Sequence, residues 1–282
     1  MMKEPKVVAI ILNWNGRELV LRCLRSLMKL HYGNINLIVV DNGSEDDSVK
    51  AITEEFPEVQ VVALAGNTGY ARGNNAGLDV ALEQDPEWIM FLNNDTEVDE
   101  NLIAAFVDGA GHYPDGGIFG PKIYYGEETD RIWYAGGEVS FPLGRSQHRG
   151  IREHDRGQYD KPQRTDFVSG CCLFIKADLV RRLGGFDSSF PMYMEDVDLC
   201  YRAMQEGVGC YYLPDAKVWH YVSSSMGGEL SLRKVWLKWW SGMRFFKRYA
   251  KPWHWCTIPG YQVYYFGVLG PARYVRDKWR KR

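Results

Sequence analysis

Asn93, Asn94 and Asp95 close an uninterrupted apolar run, Trp88-Ile-Met-Phe-Leu92, and Thr96 and Glu97 follow them. Two amides and one carboxylate make a poor metal cage alone. They suit a divalent ion that takes most of its ligands from water and a bound diphosphate. The same Asn-Asn-Asp-Thr could instead only turn the chain and cap the next helix, as these residues routinely do. A second pair, Glu195 and Asp196, stands directly ahead of Val197, Leu199, Cys200 and Ala203, which share the inner side of a helix. Carboxylates at a helix start meet free backbone N–H groups that keep them ionised and oriented, so one of them could accept a hydroxyl proton. Acids that merely suit the helix dipole are the plainer reading.

These residues need elements to position them. An apolar run free of charge until its end reads as a strand buried on both faces. In open α/β sheets ligands bind at the carboxyl ends of such strands. Val7–Leu12 is a first buried strand and ends at Asn13-Trp-Asn-Gly16; Leu19, Leu21, Leu24, Leu27 and Met28 then recur at helical spacing. Leu37–Val40 is a second strand, ending at Asp41-Asn-Gly-Ser44, after which Glu45, Asp46 and Asp47 are expected to open a helix. Val59–Leu64 is a third, closed by Gly66-Asn-Thr-Gly69, and Gly73-Asn-Asn-Ala76 begins a helix running to Leu82. This alternation predicts a parallel, doubly wound sheet whose strand ends meet at one edge. Asn13 and Asn15, Asp41, Asn67, and Asn93 to Asp95 gather there. Phe167–Ile175 is expected as a later buried strand, with Gly170 allowing a ligand to approach closely.

Composition bounds the classes. The chain has 282 residues, 45% hydrophobic and 25% charged, with a formal net charge of -2 that argues against nucleic-acid binding as its main task. Six cysteines show no CxxC pair and no zinc spacing, so reduced core thiols of a cytosolic protein are expected. The first strand begins almost at once, without a signal-peptide pattern, and no apolar run reaches spanning length.

Several segments together resemble the family 2 glycosyltransferases of GT-A fold, most closely their rhamnosyltransferase-like branch, which decorates bacterial surface polysaccharides. They are Ile11-Leu-Asn-Trp-Asn-Gly16, Val39-Val-Asp-Asn-Gly-Ser44, Asn67-Thr-Gly-Tyr-Ala-Arg-Gly-Asn-Asn-Ala-Gly77, Phe91-Leu-Asn-Asn-Asp-Thr96, Gly184-Gly-Phe-Asp187 and Met194-Glu-Asp-Val-Asp-Leu-Cys-Tyr-Arg202. The resemblance implies a mostly parallel central sheet with flanking helices. It also implies an inverting, metal-dependent enzyme moving a sugar from a nucleoside diphosphate donor, dTDP-rhamnose or a UDP-sugar, to a glycan or polyprenyl-diphosphate-linked acceptor. Under it Asp41 would contact the base, with a helix cap on Ser44 as the alternative. Asn13, Asn15, Asn67, Gly69, Asn74, Asn93, Asn94 and Gly170 would line the donor site, and Arg72 would reach a phosphate unless it is only a surface arginine. Asp95 matches the last carboxylate of the family's DxD motif, which usually holds Mg²⁺ or Mn²⁺, although Asn93 replaces the first. His220 matches a histidine that completes the metal site in related enzymes, against the alternative of a packed imidazole. Asp196 would be the general base and Glu195 its neighbour, orienting it or binding acceptor. Asp198 and Arg202 read as a pair that fixes the helix. Trp133-Tyr-Ala-Gly-Gly137 resembles a segment near the two sugars.

Two regions stay less defined. His148, Arg149, Arg152, His154, Asp155 and Arg156 form a polar stretch readable as a mobile lid or a solvated loop. Beyond a GT-A domain at 1–228, the stretch 229–282 reads as a Trp-rich basic extension. Its only acids are Glu229 and Asp277, while Leu232, Val235, Trp236, Trp239, Trp240, Met243 and Phe246 recur at helical spacing. Such helices lie in anionic headgroups; packing on the catalytic domain or a homodimer contact are the alternatives. The expected place of work is the cytoplasmic face of the plasma membrane. A sugar-nucleotide pyrophosphorylase would need a Gly-rich, basic first loop, which Asn13-Trp-Asn-Gly16 is not. A non-catalytic glycan-binding relative would have lost the base or the metal residue, and Asp95 and Asp196 are both present.

Overall fold

The computed structural model describes residues 4–190, 192–222 and 232–264. Its first half follows the alternation in the sequence: β1 (Val7–Asn13), α1 (Arg17–Leu27), β2 (Ile35–Asp41), α2 (Ser48–Glu55), β3 (Gln60–Ala63), α3 (Tyr70–Leu82) and β4 (Trp88–Asn93). The four strands are parallel and in register, with Asn13 beside Asp41 and Leu12 beside Asn93. Val7 to Ile11, Ile38 to Val40 and Ile89 to Phe91 are fully buried. Burial on both faces stabilises each such side chain by about 1.5–3 kcal/mol, which is why these runs carry no alternation. Helix α3 lies close on the sheet through Gly77, where a Cβ would stand 2.6 Å from methyl groups of Ile10 and Val40.

The second half adds antiparallel strands to the parallel alternation, giving the mostly parallel sheet expected. After β5 (Thr96–Val98) and α4 (Leu102–His112) come β6 (Gly116–Tyr125), β7 (Ile132–Tyr134), the hairpin β8 (Gly137–Ser140) and β9 (Arg145–His148), and β10 (Gln163–Arg164). Then follow β11 (Cys172–Lys176), α5 (Ala177–Leu183), α6 (Glu195–Gln205) and β12 (Gly209–His220). Ten strands form one sheet with the central order β10-β12-β6-β11-β4-β1-β2-β3, β5 pairing with β12 and β7 with β6. Strand β11 runs antiparallel to both neighbours, β4 and β6. The start of β11 therefore reaches the edge where the ends of β1, β2 and β4 lie. The expected strand over Phe167–Ile175 begins only at Cys172. Before it, Phe167 makes a single bridge to Gly137 and the chain bends, so Gly170 presents its backbone to other elements.

Helix α2 also starts later than expected. Asp47 takes a left-handed backbone with φ 59°, and the Asp46 carboxylate accepts from the backbone N–H groups of Arg17 and Ser48. These acids form the loop ahead of the helix. In the stretch 148–156, residues 151–154 and 156 are exposed, as in a solvated loop, while His148 and Asp155 anchor it. His148 closes β9 in aromatic contact with Trp133, Tyr134 and Phe167, and Asp155 accepts from the buried Lys122 ammonium at 2.8 Å and from Tyr124 at 2.6 Å.

Helices α7 (Leu232–Tyr249) and α8 (Ile258–Tyr264) follow, joined by a 3₁₀ turn at 252–256. Phe245 and Phe246 are buried beside Phe141 and Tyr201. Asp198, fully buried, accepts from Arg202 at 2.7 Å, Tyr249 at 2.8 Å and Arg248 at 3.1 Å, while Arg248 also bonds Asp187 at 2.6 Å. The inner side of α7 thus packs on the body of the fold, one of the alternatives read for these aromatics. Its other side leaves Trp236 56% and Trp239 39% exposed. The side chains of Leu232 to Val235 and all of 229–231 and 265–282 lie outside the described residues. No helix among the described residues is long and apolar enough to cross a membrane.

Candidate active site

At the carboxyl ends of β1 and β2 the polar side chains satisfy one another. Asp41, 2% exposed, accepts from the Ser44 N–H at 2.8 Å and from Asn13 Nδ2 at 3.1 Å. Asn13 Oδ1 in turn accepts from Asn94 Nδ2 at 2.7 Å, which carries the network to the end of β4. Asn15, in a left-handed backbone with φ 47°, accepts from the Glu45 N–H at 2.8 Å. The expectation missed Asn42. Its Oδ1 accepts from the N–H (2.9 Å) and hydroxyl (3.0 Å) of Thr68, and its Nδ2 donates to Asn67 Oδ1 (3.2 Å) and the Gly69 carbonyl (3.3 Å). One buried amide therefore shapes the whole 67–69 loop. The signal was an amide straight after a strand-end aspartate, followed by Gly43, whose φ of 76° makes the turn.

Two expected donor-site residues sit differently. Asn74 is buried inside α3 and donates to the Tyr70 carbonyl at 3.0 Å, leaving its Oδ1 unpartnered. Arg72 is exposed on that helix.

The catalytic-type carboxylates gather where β11 begins. The Gly170 N–H donates to Asp196 Oδ2 at 2.8 Å, and the Val197 N–H donates to Asp196 Oδ1 at 2.8 Å. Glu195, 7% exposed, leaves Oε2 without a partner. Burial raises both carboxyls above the ordinary carboxylate range, and the Asp196 charge pushes Glu195 further up. Tyr193 and Met194, just ahead, both hold left-handed backbones with φ 68° and 72°. Non-glycine residues in that region cost about 1–3 kcal/mol each, strain that clusters at functional sites.

Asp95 and His220 meet from opposite sides of the chain. His220 pairs with Thr96 across β12 and β5, and its Nε2 stands 3.2 Å from Asp95 Oδ1. That oxygen is buried without a hydrogen-bond partner, as is His220 Nδ1. The His220 ring is held edge-on by Trp133, centroids 4.6 Å apart, and His148 lies on Trp133 in turn at 4.5 Å. A buried carboxylate oxygen without a hydrogen-bond partner and a buried ring nitrogen, Nε2, 3.2 Å from it fit two ligands of a divalent cation. Among the described residues no third His, Cys, Asp or Glu converges on them. Further ligands would come from water and the donor's phosphates. Cys171 connects the two clusters: its carbonyl accepts from the Asn93 N–H at 3.0 Å, and its thiol feels both the Asp95 and the Asp196 charge.

Comparisons with known proteins bear on the family and the fold. A model of the family described as glycosyl transferase family 2 matches residues 8–184, more than half of the chain. An N-acetylglucosaminyl-diphospho-decaprenol L-rhamnosyltransferase of Mycobacterium tuberculosis is 27% identical over 74% of this chain and 73% of its own. A dTDP-rhamnosyl transferase of Shigella flexneri is 22% identical over 78% and 70%. Among solved structures, a mannosyltransferase of Pyrobaculum calidifontis in complex with GDP-Man and Mn²⁺ superposes with a TM-score of 0.64 at 17% identity, covering 93% of this chain and 70% of that one. GalNAc-T7 with UDP, GalNAc and Mn²⁺ gives 0.65 at 18% identity, and this chain spans only 44% of it. The mixed, mostly parallel sheet with its flanking helices is the GT-A fold, and the chain belongs to glycosyl transferase family 2 as a glycosyltransferase.

Proposed function

We propose that the protein transfers a sugar, with inversion, from dTDP-rhamnose or a UDP-sugar to a glycan or polyprenyl-diphosphate-linked acceptor in bacterial surface polysaccharide synthesis. The observation that carries this reading is the antiparallel β11. It brings Gly170 and Asp196 beside the strand end that holds Asn93, Asn94 and Asp95. The rhamnosyltransferases among the relatives support the choice of donor and acceptor class.

Each Asp41 oxygen accepts one hydrogen bond and keeps a lone pair, so one of them can take the N3–H of uracil or thymine. Asn13, Asn15, Asn67 and Gly69 shape the nucleoside pocket, Asn93 and Asn94 border the sugar and diphosphate, and Arg72 serves a phosphate. Asp196 is the general base. Its two backbone N–H donors hold the carboxylate with a lone pair free on each oxygen. The acceptor O–H proton passes to Asp196 as the acceptor oxygen bonds to the anomeric carbon. The bond from that carbon to the β-phosphate oxygen breaks, and the nucleoside diphosphate leaves with its electron pair from the opposite face. Glu195, kept largely protonated by burial, can donate to an acceptor oxygen. Asp95 and His220 would hold Mn²⁺ or Mg²⁺. When bound there, the ion supplies Lewis-acid stabilisation of charge on the departing diphosphate.

We take 1–228 as the GT-A domain and 229–282 as an extension whose outer face meets an anionic membrane. Trp236, Trp239 and Trp253 are exposed there, with Lys238, Lys247 and Lys251 in the same stretch. That would place the enzyme at the inner face of the plasma membrane, next to a lipid-linked acceptor.

Calorimetric titration with UDP and dTDP, each with Mn²⁺, Mg²⁺ or EDTA, tests the reading. Metal-dependent binding of one nucleotide is expected. Absence of binding under every condition overturns the donor assignment.

A further inference from the structure

Tyr70 belongs to neither the donor loop nor the carboxylate pair, yet it spans both. It follows Gly69, the end of the loop that Asn42 shapes, and opens α3. Its hydroxyl crosses to the start of β11 and donates to the Gly170 carbonyl at 2.7 Å. Gly170 has no side chain to hold it; a Cβ there would stand 2.8 Å from the Tyr70 oxygen and 3.5 Å from Asp196 Cβ. On its other side the same residue gives its N–H to Asp196 Oδ2. Phe186 packs edge-on against the Tyr70 ring at 5.8 Å, and Asn75, also on α3, both donates to and accepts from the Phe186 backbone. The ring is thus fixed from behind and only its oxygen points at Gly170.

We infer that Tyr70 is a positioning residue for the transfer step: its hydroxyl holds Gly170 so that the Gly170 N–H aims the Asp196 carboxylate at the acceptor. The inference rests on Asp196 being the base. A tyrosine that only fills space would need no hydroxyl, whereas this hydroxyl holds the Gly170 carbonyl while the Gly170 N–H meets Asp196. Losing the Gly170 N–H bond removes a stabiliser of the carboxylate form, so the acid limb of the rate profile must move to higher pH. Glu195 is the titratable neighbour of Asp196, itself raised by burial and by the Asp196 charge; Tyr70, Tyr134, Cys171 and Cys200 face Asp196 as neutral, buried groups.

The test is the kcat–pH profile of Tyr70→Phe beside Asp196→Asn, in the full chain with a dTDP- or UDP-sugar that the wild type turns over. Tyr70→Phe keeps the ring and its Phe186 contact. It is expected to lower kcat about tenfold, move the acid limb upward and leave donor KM within about twofold. An unmoved profile and kcat in Tyr70→Phe, with Asp196→Asn inactive, overturns the role of Tyr70 while sparing the base. A loss confined to donor KM also overturns it. Transfer at the wild-type rate by Asp196→Asn removes the base reading and this inference with it.

Discussion

The two sides of the candidate site are built on opposite plans. On the donor side, the buried Asn13, Asp41 and Asn42, the half-buried Ser44 and the exposed Asn67 and Thr68 bond one another. On the other side, Asp95 Oδ1, His220 Nδ1 and Glu195 Oε2 are buried without partners, both acids of the 195–196 pair are raised, and two left-handed residues precede them. A self-satisfied network is rigid before ligand arrives, so little ordering cost falls on binding. Orphaned polar atoms hold free energy that only a ligand, an ion or a proton can recover. On the proposed reading, the donor side would be a preformed mould and the transfer side would be completed by what it binds.

The contrast can be broken at either side, and the largest effect is expected on the transfer side. Asp196→Asn should lower kcat by about 10²–10⁴ while donor affinity stays put, since only the proton acceptor is lost. Steady-state kinetics with calorimetric donor binding checks this; an equal loss of donor affinity would make Asp196 part of the mould. Asn42→Ala strikes the other side. It removes the bonds to the Thr68 N–H and the Gly69 carbonyl, which water can partly replace, so thermal unfolding should show a loss of about 0.5–1.5 kcal/mol and titration a weaker nucleotide. Stability unchanged with nucleotide binding intact would show that the mould does not depend on its peg.

His220→Ala should raise the Mn²⁺ concentration for half-maximal rate about tenfold and leave metal-free nucleotide binding alone. A smaller effect still is expected from pH. Burial raises Glu195 to about 8, so the folded state keeps a proton that the unfolded chain releases near the ordinary carboxylate value. The sign follows: the stabilising proton is fully present below about pH 4 and is lost as pH rises through the raised value. Wild-type stability should therefore decline between about pH 5 and 8, and Glu195→Gln, which cannot ionise, should flatten that decline. Denaturant unfolding across this range measures it. A slope unaltered by Glu195→Gln would show that the pair does not carry the charge cost.

Much of the mould was legible in the chain. Runs such as Val7–Ile11 and Trp88–Leu92 must be buried on both faces, and right-handed crossovers then bring Asn13, Asp41, Asn67 and Asn93 to one edge. The transfer side was legible only as isolated residues. Glu195 and Asp196 announced a helix start, but nothing local says that Asp196 meets Gly170, because that contact depends on β11 turning antiparallel. In the polar stretch 148–156 the solvated reading suits the exposed Arg152, His154 and Arg156 but not His148, which Trp133 and Phe167 cover. Asn42 and Tyr70 were passed over because an amide in a turn and an aromatic at a helix start both have ordinary explanations.

Sequence alone determined the strand–helix alternation, the polar edge and the family, because periodicity and burial act over a few residues and the motifs recur in order. Tertiary structure alone decided the direction of β11 and the meeting of Asp95 with His220 across 125 residues of chain. It also decided the seating of α7, where Arg248 pairs with the buried Asp198 and Tyr249 donates to it, on the helix that carries Asp196. These are long-range pairings whose energy depends on geometry rather than on neighbouring residues. A buried carboxylate does not name its partner until the fold has brought one within about 3 Å.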